Sequence, residues 1–143
     1  MCNCKNIEIG THDNQVVLTP PSWSNKEAIC VDACLKDEIL YLWVKGVRTG
    51  GCCCGHNKIN GSIDVYEESS QLMKDLGYEV QFNPCYPDSE WSFYPKTVAR
   101  VDSHIESLYM LNKEIELYLD RRKRMSYKRP LRAKQILKIW ETR

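Results

Sequence analysis

The residues best suited to chemistry form a run of three cysteines followed by glycine and histidine, in the segment 50–56, Gly-Gly-Cys-Cys-Cys-Gly-His. Thiolate and imidazole groups are the usual protein ligands of zinc. Cys53 and His56 form a Cys-x-x-His pair, and Gly55 between them can adopt a positive φ that brings the backbone close to an ion. The alternative is a cysteine-rich core strand, because free cysteine packs as a small hydrophobic residue. The flanking glycines and the histidine favour a metal site over a core strand.

Other cysteines could complete this site. The chain has eight cysteines, and in a reducing compartment such a number indicates metal ligands before disulfides. A first helix should run away from Cys30 and Cys34, and the following strand should return, so that both cysteines meet Cys53 and His56. The candidate ligands are enough for one four-coordinate zinc ion or for two; they are Cys2, Cys4, Cys30, Cys34, Cys52, Cys53, Cys54 and His56.

The hydrophobic pattern predicts the elements that would position these ligands. Helices are predicted at 28–45 and 67–76, and the second should end at the C-cap residue Gly77. Strands are predicted at 5–9, 15–19, 47–54, 62–66, 78–83 and 91–94. The first two strands should pair as a hairpin. The expected fold is a zinc-stabilised α+β domain, with two helices on one face of a mainly antiparallel sheet, followed by a C-terminal helical extension.

Charge and periodicity change near residue 97. Residues 1–97 carry eight basic and thirteen acidic side chains, whereas residues 98–143 carry twelve basic and six acidic ones. We therefore predict a zinc-binding domain at 1–97 and a helical extension at 98–143. The extension opens with apolar residues at alternating steps of three and four and a single asparagine, namely Val98, Val101, Ile105, Leu108, Asn112, Ile115 and Leu119. This pattern fits a helix lying on the sheet domain or a dimeric coiled coil; the short length favours the former.

A basic run follows the apolar pattern. Residues 121–138 contain nine lysines and arginines and no acidic residue. A basic helix end can grip phosphates, which makes Arg121, Arg122, Lys123 and Arg124 candidates for contact with nucleic acid or with a partner. The alternative is a solvated helix C-terminus, where cations are favoured in any case.

Several function classes lack their signatures. No apolar run approaches the ~20 residues of a membrane span, and the first ten residues do not resemble a signal peptide, so a cytoplasmic location is expected. The sequence has no phosphate-binding glycine loop and no zinc-deaminase signature, since no glutamate adjoins His56. With enough protein ligands to fill all four positions of a zinc ion, a structural metal is favoured over an enzyme.

The chain also resembles a group of small phage and prophage proteins over about residues 1–97. The resemblance rests on the Cys-x-Cys of Cys2 and Cys4, the pair Cys30 and Cys34, the Gly-Val-Arg-Thr of 46–49 and the Cys-Cys-Gly-His-Asn-Lys of 53–58. More narrowly, the chain is similar to type II-A anti-CRISPR proteins. That similarity implies a non-enzymatic zinc protein, active in the cytoplasm of a bacterial host, that binds and blocks an RNA-guided type II CRISPR nuclease. The net charge of +1 departs from the acidic DNA mimicry of some such inhibitors. The alternative is a zinc-stabilised nucleic-acid-binding protein.

Overall fold

The computed structural model describes Cys2, Cys4, residues 14–83 and residues 86–128. Contacts divide the chain into two compact units, Met1–Ser103 and His104–Arg143, whereas the sequence places the boundary after residue 97. The predicted strand at 5–9 and the part of the basic run after residue 128 lie outside the described residues. The sequence also predicts a surface position for His12, a loop or core position for Cys85 and a further helix after Pro130, and these residues are outside the described ones as well.

The described residues form an α+β fold with antiparallel sheets, which confirms the predicted class. A two-stranded sheet pairs β1 (Gln15–Leu18) with β2 (Ile29–Asp32). A three-stranded sheet has the order β3 (Thr49–Cys53), β4 (Ser62–Val65) and β5 (Ser92–Phe93), all antiparallel. The helices are α1 (Lys36–Val44), α2 (Ser70–Asp75) and the C-terminal α3 (Ser103–Lys128).

The predicted helix at 28–45 is wrong in its first third. Residues Ile29–Asp32 are extended and pair with β1, with Val16 opposite Val31, and a 3-10 turn at Ala33–Leu35 precedes α1. Ile29 and Val31 are β-branched and fit a pleated surface once a partner strand is present. Cys30 and Cys34 consequently do not share a helix face.

The predicted strand at 78–83 is also largely wrong. In the described residues it contributes an isolated bridge between Val80 and Phe93. The bridge continues the sheet edge beside β5, and Gln81 N–H donates to the carbonyl of Ser92 at 2.8 Å. The other elements lie within a few residues of their predicted bounds, which is the usual uncertainty at element ends.

A single core joins α1, α2 and the three-stranded sheet. Its fully buried side chains are Phe93, Leu35, Ile39, Leu42, Ile63, Met73 and Val47. The chain leaves α1 through Gly46, whose φ of 88° suits glycine. Val47 N–H donates to the carbonyl of Leu42 at 2.9 Å, as in a helix end closed by a left-handed residue. This turn sends the chain into β3 and towards the cysteine run.

A buried carboxylate fixes the start of α1. Glu38 is 4% exposed. Its oxygens accept hydrogen bonds from the Tyr78 hydroxyl at 2.9 Å, the Lys96 N–H at 2.7 Å, and the Thr97 N–H and hydroxyl at 3.3 and 2.7 Å. Burial, with a smaller effect of Glu38 itself, raises the pKa of Tyr78, which favours the protonated phenol that donates to Glu38. The first turn of α1 is thereby tied to the segment that follows β5.

The helix α3 is long, and many of its apolar residues are exposed to solvent. It has 26 residues, and Ile105, Leu108, Ile115 and Leu119 are each about half exposed. Val98 and Val101 precede the helix, so the helical part of the predicted seam begins at Ile105. Among the described residues, no helix combines the length and the apolar character that a bilayer crossing requires.

We predict that Glu38→Gln lowers the free energy of unfolding by about 2–3 kcal/mol, because the new amide NH2 would face donors that now bind carboxylate oxygens. Urea unfolding of the two proteins at pH 7 measures this change. The matched control is Asp37→Asn, the exposed neighbour in the same turn, which should cost less than about 1 kcal/mol. Equal losses in the two variants would contradict the role assigned to Glu38.

Candidate metal centre

Four cysteine sulfurs converge at one point of the first unit. The Cys2 Sγ lies 3.2 Å from the Cys34 Sγ and 3.4 Å from the Cys54 Sγ, and the Cys4 Sγ lies 3.6 Å from each of the same two atoms. All four sulfurs lie within 4.8 Å of one another. A disulfide bond measures about 2.05 Å, and these cysteines are free thiols. An ion with Zn–S bonds of ~2.3 Å would hold tetrahedral sulfurs ~3.8 Å apart. The cluster could therefore hold a metal ion.

The four cysteines come from three distant parts of the sequence. Cys34 lies in the 3-10 turn between β2 and α1, and Cys54 directly follows β3. Cys2 and Cys4 come from the start of the chain. Cys2, Cys4 and Cys54 are buried, and Cys34 is half-buried. The sulfurs are therefore largely shielded from water, as expected of a closed structural site.

Hydrogen bonds from Asn57 hold the backbone of Cys2 and Cys4 beside the cluster. Its Oδ1 accepts the Cys2 N–H at 3.2 Å, and its Nδ2 donates to the carbonyl of Cys2 at 2.9 Å and of Cys4 at 3.4 Å. This clasp depends on a tight turn in which Gly55, His56 and Asn57 all have positive φ, at 78°, 52° and 59°. Asparagine is among the residues that tolerate this region best. The turn thereby directs the Asn57 side chain back to the cysteines.

Gly55 is required in that turn for a second reason. A Cβ at this position would lie 2.8 Å from the backbone nitrogen of Gly61 and 2.9 Å from the carbonyl carbon of Asn60. Neither backbone atom can move aside as a flexible side chain would. The sequence Cys-Gly-His-Asn thus combines a ligand, a close backbone approach and the Asn57 clasp within four residues.

Polar neighbours orient the sulfurs. The Asn14 Nδ2 donates to the Cys4 Sγ at 3.0 Å, and the Cys4 N–H donates to the Cys2 Sγ at 3.2 Å. The Asp32 Oδ2 accepts the Cys54 N–H at 2.8 Å. Donors to sulfur favour the thiolate form, and such outer contacts fix ligand orientation around a metal. The site therefore has the supporting contacts that a metal centre needs as well as its ligands.

Burial disfavours negative charge on the sulfurs in the absence of a cation. Burial raises the pKa of Cys2 to about 12 and also raises the pKa of Cys54. A bound divalent ion reverses this effect, because a coordinating thiol is deprotonated. Metal binding to the cluster is therefore coupled to proton release.

A second group of potential ligands adjoins the first. Asp32, Cys54 and His56 lie together and are all buried, and the His56 Nδ1 lies 3.5 Å from the Cys54 Sγ. Cys54 belongs to both groups. With an ion held by the four sulfurs, Asp32 and His56 would act as neighbours of a ligand, where a second shell of carboxylate and imidazole groups is common.

The predicted ligands separate into two sets in the structure. The fold brings together Cys2, Cys4, Cys34 and Cys54, and His56 lies beside Cys54. The remaining three, Cys30, Cys52 and Cys53, are in neither group. Cys30 is exposed on β2. Burial raises the pKa of Cys52 to about 12 and that of Cys53 as well, and the Cys53 Sγ accepts the Gly55 N–H at 3.3 Å.

Sequence reasoning missed three supporting residues, Asn14, Asp32 and Asn57. Asn57 had a usable signal, since an asparagine after glycine and histidine in a tight turn is typical of a left-handed position. Asp32 and Asn14 gave none, because their contacts with the cysteines depend on the pairing of β1 with β2. Their roles follow from tertiary structure alone.

The candidate basic contacts lie on α3. Arg121, Arg122, Lys123 and Arg124 are all exposed. Arg124 forms an ion pair with Asp120, and the Arg122 guanidinium lies 5.9 Å from the centre of the Tyr118 ring. Four consecutive helical residues point in directions about 100° apart. They surround the helix with positive charge instead of forming one flat patch.

Comparison with known proteins gives no relative for this chain. No protein-family model matches it, and neither a curated protein nor a solved structure matches it significantly. The resemblance to phage proteins and to type II-A anti-CRISPR proteins accordingly stays a prediction. The four-sulfur cluster rests on the chain's own geometry.

Proposed function

We propose that this protein is a non-enzymatic binding protein whose first unit is held together by one structural zinc ion. The observation that carries the proposal is the convergence of four cysteine sulfurs, with separations of 3.2–3.6 Å between Cys2 or Cys4 and Cys34 or Cys54. Four thiolates without an intervening water are typical of structural zinc, whereas catalytic zinc keeps an open position. Soft sulfur ligands in a tetrahedral arrangement also disfavour magnesium and calcium.

We predict one zinc per chain in protein purified without chelator. Cys34→Ser should lose the metal and unfold at lower temperature, since metal binding and folding are coupled. Elemental analysis and thermal unfolding measure the two effects. Substitution with Co2+ should give the visible d–d absorption of a tetrahedral four-thiolate site, a readout independent of stability.

Two matched pairs of cysteines control this experiment. Cys30→Ser should retain the metal, because Cys30 is exposed on β2, although it lies only four residues from Cys34. Cys53→Ser should retain the metal as well, whereas Cys54→Ser should lose it. Loss of zinc from both members of either pair, or purified folded protein without zinc, would contradict the assignment.

As the target of this protein we propose a type II CRISPR effector nuclease, with inhibition by obstruction of target DNA loading. The support is the resemblance of residues 1–97 to type II-A anti-CRISPR proteins together with an acidic groove in the first unit. Such effectors hold the heteroduplex in a positively charged channel. An inhibitor that occupies this channel needs a complementary negative surface and no reactive group.

The groove lies between α2 and the loop before β5. It has a volume of about 770 Å³, and its charged lining consists of Glu67, Asp88 and Glu90 with a single lysine, Lys74. Lys74 forms an ion pair with Glu90, which leaves Glu67 and Asp88 to give the groove its net negative charge. Tyr86 and Trp91 pack against each other in its wall with ring centres 5.5 Å apart, and aromatic residues of this kind anchor protein interfaces.

We predict that the protein lowers target cleavage by a guide-loaded type II effector, with a plateau near one inhibitor per nuclease. Inhibition should fall when target DNA is bound first. The double variant Glu67→Lys/Asp88→Lys should raise the half-inhibitory concentration at least about tenfold, which corresponds to 1.4 kcal/mol of binding. A cleavage assay with varied order of addition measures all three effects.

The control is Glu27→Lys/Asp37→Lys, which makes the same charge change at exposed positions outside the groove. It should inhibit as the wild type does. Full cleavage at excess inhibitor across several type II effectors would reject the target, and equal loss in the two double variants would reject the groove as the contact surface.

A second candidate function is nucleic-acid binding through α3, and the exposure of all four basic residues at 121–124 favours it. Replacing Arg121, Arg122, Lys123 and Arg124 by glutamate should then abolish binding to a short duplex. The affinity of the wild type should fall linearly on a logarithmic scale of salt concentration, with a slope of about −0.9 per phosphate contacted. Wild-type protein that binds no duplex in low salt would remove this candidate.

A further inference from the structure

We propose that α3 pairs with α3 of a second copy of this chain, in antiparallel orientation about a two-fold axis. The inference depends neither on the metal centre nor on the proposed nuclease target, since it rests on α3. The first observation is exposure: Ile105 is 53% exposed, Leu108 49%, Ile115 48% and Leu119 49%. An amphipathic helix of a soluble protein normally buries such a stripe.

The spacing of these residues indicates a helical partner. Ile105, Leu108, Asn112, Ile115 and Leu119 follow steps of three and four, the repeat of a coiled-coil seam. Leu111, Tyr118 and Met125 flank this seam along one side and are exposed as well. The apolar face is therefore wider than the strict seam of a short two-stranded coil, and a partner helix must supply apolar side chains along that flank too.

The distribution of charge along α3 selects a second copy and sets its direction. From Asp102 to Glu116 the sequence has four acidic side chains and one lysine, whereas 121–124 is entirely basic. A parallel pair would place the two basic segments side by side and Arg122 opposite its own copy, where like charges repel. An antiparallel pair places each basic segment beside Asp102 and Glu106 at the start of the other helix. Isologous pairing about a two-fold axis satisfies both ends at once.

One register brings the apolar residues of both copies together. With Leu108 opposite Leu119 of the second copy, Asn112 comes opposite Ile115, and Ile105 comes opposite Arg122, whose aliphatic stem can cover it. On the flank, Leu111 comes level with Glu116, two residues from Tyr118 of the second copy. The two-fold axis then passes between positions 113 and 114. Each Asn112 lies about 2 Å along the helix from that axis, so that the two amides approach each other and can share a hydrogen bond, in the way that a seam asparagine fixes register.

The test is sedimentation equilibrium of the whole 143-residue chain, purified without chelator and treated with nuclease, over a wide range of concentrations. We expect a monomer–dimer equilibrium. Leu119→Lys should raise the dimer dissociation constant by about a hundredfold or more, because symmetry introduces the change twice. The control is Leu117→Lys, a leucine of similar exposure, 55%, outside the seam, which should leave the dissociation constant unchanged. Far-UV circular dichroism of both variants checks that the helix is retained.

Charge removal distinguishes the two orientations. Replacing Arg121, Arg122, Lys123 and Arg124 by glutamine should weaken an antiparallel dimer, since the attraction to the acidic helix start is lost, whereas it would strengthen a parallel one. Added salt should act in the same direction as the substitution. A monomer at all concentrations, equal effects of the two leucine variants, or a dimer strengthened by the charge removal would each overturn the proposal.

Discussion

The structure of the first unit depends on the approach of four cysteine sulfurs, three buried and one half-buried, that cannot all be charged without a cation. Burial raises the pKa of Cys2 and of Cys54, and four thiolates at this distance would repel one another strongly. A divalent ion would reduce both obstacles, because it coordinates the thiolates directly and offsets half of their charge. Since the ligands come from the start of the chain, the turn before α1 and the end of β3, the ion would connect three parts of the fold that are distant in sequence. Folding and metal binding are then one process.

The backbone turn beside the cysteine cluster is strained. Three successive residues with positive φ, Gly55 to Asn57, include two that are not glycine, and each such residue is strained by of order 1 kcal/mol or more. The strain persists because the surrounding structure fixes it from several sides: the Asn57 side chain holds the Cys2 backbone, and Asp32 holds the Cys54 N–H. A turn of this kind is typical of a site whose geometry matters more than its local stability.

The sequence was sufficient for the class of the fold and for a cysteine cluster that could hold a metal ion, but not for the choice of cysteines in it. Residues 28–35, Ala-Ile-Cys-Val-Asp-Ala-Cys-Leu, satisfy the apolar spacing of a helix and also the alternation of a strand. The segment Ile29–Asp32 is a strand because it pairs with β1. The local sequence pattern gives no information about that partner. The separation of Cys30 from Cys34 follows. Likewise, adjacent cysteines on an extended chain point to opposite faces, so Cys53 and Cys54 cannot serve the same site equally, and only the packing of β3 against Asp32 shows which one faces the cluster.

The cysteine cluster and the hydrogen-bonded Glu38 carboxylate meet at the start of α1. Cys34 lies in the turn that leads into the helix, and Glu38 lies in its first turn. The sulfur joins the helix to the cysteine cluster, and the carboxylate joins it to Lys96 and Thr97 beyond β5. The strands have only two to five residues and α2 has six, so that apolar burial by any one element is small. In a unit of this kind, contacts that fix one helix end from both sides add to the arrangement that the small core sets. The short 3-10 turn at Ala33–Leu35, in place of a longer helix, is the consequence: it is the conformation that lets Cys34 reach the cluster while Leu35 remains fully buried.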